Sequence, residues 1–153
     1  MSKRRQARRA AAQLLYQAEI WGGAELPLDD VNTCLENWEK DSSPDEATRQ
    51  FAMEVVYGVA EHVAELDEII DQYAEDWTLE RMPVIDKNVL RLALYELLHR
   101  DDIPWQVSVN EAVELAKRYS TPECAGFVNG VLVAVQQGRP PGETTEQDEE
   151  GDG

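Results

Sequence analysis

The sequence predicts an all-α fold of six or seven helices in one domain, on three observations. Apolar residues recur at alternating spacings of three and four along most of the chain. Helix-start signals precede several of the periodic runs, and almost no stretch alternates apolar with polar residues as a strand would. The 153 residues suit a single core. With 42% hydrophobic and 29% charged residues the composition is globular.

Ala7, Ala11, Leu14, Ala18 and Trp21 form one apolar stripe, which predicts a helix over 3–21 ended by Gly22-Gly23. Val31, Leu35 and Trp38 mark a shorter helix after Pro27. Ser43-Pro44-Asp45-Glu46 reads as a capping box with proline at the first helical position. The long run that follows, Ala52, Val56, Val59, Val63, Leu66, Ile70 and Tyr73, carries Gly58, where a bend or break is expected. Pro83 opens a segment whose Val89, Leu90, Leu92, Ala93, Leu94, Leu97 and Leu98 cover nearly the whole circumference, the mark of a buried central helix. Ser108-Val109-Asn110-Glu111 reads as a second capping box, leading to Ala112, Val113, Ala116 and Tyr119. Thr121-Pro122 caps a last helix with Phe127, Val128, Val131, Leu132 and Val135, in which Gly130 is expected to permit close helix approach. From Gly138 on no large apolar residue remains, and a disordered acidic tail over 138–153 is expected.

Several functions are excluded or disfavoured. No apolar stretch nears the roughly 20 residues of a membrane span, and the start has no apolar signal core, so a cytoplasmic protein is expected. Cys34 and Cys124 are isolated and read as free thiols. There is no phosphate loop, nucleophile elbow or metal-ligand spacing, so no catalytic residue, cofactor or metal is expected. His62 and His99 read as structural, His99 favouring the end of its helix dipole. The acids Glu61, Glu65, Asp67, Glu68, Asp101 and Asp102 read as solvated faces.

Net charge is −17, from 14 basic and 31 acidic residues, which by itself argues against a nucleic-acid binder. The distribution is uneven, however. Lys3, Arg4, Arg5, Arg8 and Arg9 crowd the first nine residues, while the last sixteen set six acids against Arg139. Arg5, Arg9, Ala12 and Tyr16 follow helical spacing and are expected to share a face opposite Ala7. Like-charge pairs Arg4/Arg8 and Arg5/Arg9 and an opposing dipole work against this helix unless an anion neutralises them. Cations beside an aromatic ring suit single-stranded RNA, whose phosphates take arginines and whose bases stack. The bland alternative is a solubilising leader with Tyr16 packed under a neighbour.

Three ordered blocks, RRQARRAAAQLLYQAEI, LRLALYELLHRDDIPWQVSVNEAVELAKRY and FVNGVL, resemble the NusB family of transcription antitermination factors. The resemblance runs from about Lys3 to Gln137 and is weakest over 24–75. It implies two packed helical subdomains and binding of boxA RNA together with NusE, a small-subunit ribosomal protein. The complex so formed acts with RNA polymerase, notably on ribosomal RNA operons. By the same resemblance Arg4, Arg5, Arg8, Tyr16 and Phe127 are RNA-binding candidates, which Lys3 and Arg9 join as members of the basic leader, and the partner-binding candidates are Tyr73 and Asp86.

Alternatives stay open at several of these positions. Phe127 lies at core spacing with Val131 and Val135, and Asp86 suits the N-terminus of its own helix. Two other readings compete with the whole: the NusB-like domain of a ribosomal RNA methyltransferase, and an interaction module binding only NusE or a second copy of itself.

Overall fold

The computed structural model describes residues 2–75 and 77–138. Seven α-helices and no strand are found among them: α1 Lys3–Gly22, α2 Leu28–Ser42, α3 Glu46–Glu61, α4 Val63–Tyr73, α5 Val84–His99, α6 Trp105–Tyr119 and α7 Pro122–Gln137. α1, α2 and α3 pack on one another as an N-terminal bundle, and α4 to α7 form a C-terminal one. α5 joins the two, touching α1 and α3 on one side and α4, α6 and α7 on the other. Its Val89, Leu90, Leu92, Ala93 and Leu94 are all buried, as their all-round apolar pattern predicts, while in the last turn Leu97 is half-buried and Leu98 exposed. None of the described helices is long and apolar enough to cross a membrane. The tail expected beyond Gly138 lies outside the described residues, and Gly138 itself ends α7 in the left-handed conformation.

Local signals place most helix ends, with instructive exceptions. Gly22 ends α1, and Thr121 caps α7 by accepting from the Cys124 N–H. α3 starts two residues past the expected proline. Its cap is Asp45, whose carboxylate accepts from the Thr48 N–H at 2.8 Å, while Ser43 closes α2 in the left-handed region. α6 starts at Trp105 rather than after Ser108, because Pro104 already supplies the fixed φ of a helix entry. Ser108 therefore lies inside the helix and donates instead to Glu96 at 2.8 Å.

The long run does break, but at His62 and not at Gly58. Gly58 instead makes room for a neighbouring helix, since a Cβ at this position would overlap the Tyr95 ring on α5. Gly130, expected to permit close approach, meets nothing within 4 Å of such a Cβ. Trp21 departs from the α1 stripe and is 54% exposed, whereas Ala7, Ala11, Leu14 and Ala18 are buried.

Two buried ion clusters pin α1 to α5. Near the start of α1, Arg8 donates from Nε and Nη2 to the two oxygens of Glu96 at 2.8 and 2.9 Å. Near its end, Glu19 accepts from Arg91 Nη1 at 2.8 Å and from Asn88 Nδ2 at 3.0 Å, and it also pairs with Lys87. Arg91, wholly buried, reaches Asp67 on α4 through two bonds of 2.7 Å. Asp67 is thus a structural partner rather than part of a solvated face. Pairing offsets the cost of burying these charges, and the two clusters fix α1 in both position and rotation.

Candidate nucleic-acid interface

The pinning of α1 sorts its five cations. Arg8 faces inward and is 3% exposed, its guanidinium committed to Glu96, so it does not reach the surface on which the sequence places it. The other four divide between two flanks. Lys3 and Arg4 lie on the α3 side, where Lys3 Nζ is 3.7 Å from Asp45 and Arg4 is 3.6 Å from Asp102. Arg4, Arg8 and Arg100 stand 4.8, 5.1 and 5.3 Å from the centre of the Phe51 ring, which gives three guanidinium groups one aromatic support.

On the other flank Arg5 and Arg9 border α6. Arg5 donates to both oxygens of Glu111 at 3.1 to 3.2 Å, which holds its pKa above the usual guanidinium value, the hydrogen bonds leading and the charge of Glu111 adding to them. Arg9 has no ion pair and no hydrogen bond among the described residues. It shares a crevice of about 240 Å³ with Arg5, Glu111, Glu114, Lys117 and Arg118. Intramolecular acids therefore relieve much of the repulsion within the leader, which from the sequence alone would fall to a ligand. Ser2 also caps α1, accepting from the Arg5 N–H at 3.0 Å.

Tyr16 is 44% exposed further along the helix. Ala12, expected on the same face, is buried, because one turn of α1 is embraced by neighbours on more sides than a single stripe implies.

Tyr73, Asp86 and Phe127 come together elsewhere, around a groove of about 640 Å³ between the α4–α5 connection and the start of α7. Phe127 is half-buried and meets Trp77 edge-on, ring centres 5.1 Å apart. Asp86 is 1% exposed, and neither carboxylate oxygen has a hydrogen-bond partner. Cys124 beside it has its thiol pKa pushed up to about 12, by burial first and then by Asp86. No cation of α1 lines this groove, so Phe127 stands beside Tyr73 and Asp86 and apart from the arginines with which the sequence groups it.

Sequence reasoning missed Phe51, Trp77, Glu111, Lys117 and Arg118. Trp77 lies in an irregular connection where periodicity carries no information. Lys117 and Arg118 sit at a helix C-terminus, where cations are common for their dipole alone.

A family model described as the NusB family matches residues 5–137. The chain belongs to the NusB family. Among curated relatives, the transcription antitermination protein NusB of Thermodesulfovibrio yellowstonii is 43% identical over 135 residues, 85% of this chain and 89% of that protein. Among solved structures, T. maritima NusB is 35% identical with a TM-score of 0.76, covering 96% of each chain. A NusB described as in complex with NusE and double-stranded RNA is 25% identical with a TM-score of 0.76, covering 90% of this chain and 98% of its own. NusB relatives carry the name of a regulatory role and not of a reaction, and among the described residues no group of three His, Cys, Asp or Glu could hold a metal ion. His99, read as structural, bonds Glu65 at 2.8 Å, and His62 bonds the Gly58 carbonyl at 2.8 Å.

Proposed function

We propose that this chain is a cytoplasmic transcription antitermination factor that binds boxA-type RNA together with NusE. In this reading it joins an RNA polymerase complex that reads through terminators, notably in ribosomal RNA operons. The carrying observation is the cationic start of α1, exposed on two flanks of a helix held rigid by buried ion pairs, in a chain whose net charge is −17. A local cluster of this kind on an anionic protein steers a polyanion to one place. Lys3, Arg4, Arg5 and Arg9 take RNA phosphates, Tyr16 stacks a base, and Arg8 holds the helix that carries them.

Tyr73, Asp86 and Phe127 form the NusE-facing groove. An apolar trough that counts the buried Asp86 carboxylate among its lining residues, with only the Cys124 thiol beside it, suits a cationic side chain of a protein partner. The solved relative described with NusE and RNA together supports two surfaces used at once.

Calorimetry against boxA RNA and NusE, separately and together, with mass recorded in solution, tests the reading. RNA should bind the protein alone and more tightly with NusE present. Asp86→Asn should cost about 2–5 kcal/mol on NusE, as for one member of a buried charge pair, and leave binary RNA binding unchanged. It removes a buried charge, so folding should not suffer. RNA binding absent both alone and with NusE favours the interaction-module reading, and a doubled mass would identify a homodimer.

A further inference from the structure

We infer that the crevice between α1 and α6 seats the phosphate backbone of the RNA strand, held by Arg9 from one wall and by Lys117 and Arg118 from the other. The inference rests on the RNA reading above and adds a second helix to it.

Two side-chain bridges cross this crevice in one register. Arg5 reaches Glu111, and Gln13 Nε2 donates to the Tyr119 hydroxyl at 2.8 Å, each bridge joining residues 106 apart. α1 and α6 therefore run side by side in the same direction, and eight residues separate the bridges on each helix. At 1.5 Å per residue that is a channel about 12 Å long. Arg9, Lys117 and Arg118 all lie between its ends.

The charges in the channel do not cancel. Four cations line it against Glu111 and Glu114. Glu111 is committed to Arg5, and Glu114 is 3.7 Å from Lys117 in an exposed pair that contributes little. Arg118 has only the Tyr119 ring, 5.7 Å away, and Arg9 has no charged or hydrogen-bonding partner among the described residues. The helix dipole accounts for cations in the last turn of α6. It does not account for an unpaired arginine across the crevice from them on a chain this acidic. Guanidinium forks offer paired donors to phosphate oxygens, so two arginines and a lysine on facing walls make a backbone seat.

The test is a salt titration of a fluorescently labelled single-stranded boxA-type RNA against wild type, Arg9→Ser, and the double variant Lys117→Ser/Arg118→Ser. All three side chains lie outside the core, and thermal melts check that the fold is kept. Single-strand binding changes by about −0.7 in log–log slope per neutralised phosphate. The double variant should therefore be shallower than wild type by about 1.4, and Arg9→Ser by about 0.7. A double variant with the wild-type slope, while Arg9→Ser flattens it, overturns the α6 wall and leaves the RNA reading standing. Wild type without salt-dependent RNA binding overturns both.

Discussion

Replacing Arg8 with alanine separates the structural role of this arginine from the RNA role that its place in the leader suggests. The side chain fills a buried slot between α1 and α5, bonded through two nitrogens to Glu96, which also accepts from Ser108. Truncation leaves the Glu96 carboxylate buried without its cation, a change that costs about 3–5 kcal/mol. For a domain of this size each kcal/mol moves the melting midpoint by about 2–4 °C, so a fall of about 6–20 °C is expected. Urea unfolding should show the same loss as a lower midpoint at an unchanged slope. Arg9→Ala, one residue on but outside the core, should stay within about 0.5 kcal/mol. The paired replacement Arg8→Met/Glu96→Leu should recover most of the loss, since an apolar pair of similar volume replaces a buried ion pair at little or no cost. An Arg8→Ala protein as stable as wild type, with a flattened RNA salt slope, would refute this reasoning by putting the guanidinium outside on RNA.

Further outcomes follow from particular contacts. Hydrogen bonds from Arg100, with its charge adding to them, hold the Asp102 carboxyl at about 2, below the ordinary value near 3.9. Because the folded pKa is depressed, the associated stability is present above about 4 and is lost as pH falls through about 2. A carbon-detected NMR titration should find this low midpoint, and Arg100→Ala should raise it toward the ordinary value, with Arg4, 3.6 Å away, still holding it down in part. Gly58→Ala should destabilise by about 1–3 kcal/mol, because its methyl would overlap the Tyr95 ring. In a Tyr95→Ala background the same change should instead stabilise by up to about 1 kcal/mol through helix propensity, as thermal melts of the four-member cycle would show.

The helices were legible wherever a stripe met a stop. Ala7 to Ala18 with Gly22, and Thr121-Pro122 before Val128, fix α1 and α7 from spacing and caps alone. Boundaries were misread where two signals lay close together. Asp45 outcompetes Ser43 for the α3 cap, and Pro104 starts α6 before the Ser108 pattern can. The basic leader was legible as charge, but its division was not. Whether Arg8 or Arg9 turns inward depends on where Glu96 sits, 88 residues away, and no local pattern encodes that distance. The groove was half legible: the family resemblance pairs Tyr73 with Asp86 but sets Phe127 with the arginines, while Trp77 and the assembly of all four depend on how α4 and α7 meet.

The salt dependence of RNA binding tests the central claim most directly, comparing wild type with a variant in which Lys3, Arg4, Arg5 and Arg9 are all serine. Four phosphate contacts at about −0.7 each predict a variant slope shallower by about 2.8, with affinity falling most at low salt. Equal slopes for the two proteins, at equal thermal stability, would contradict the claim that the start of α1 is where this protein holds RNA.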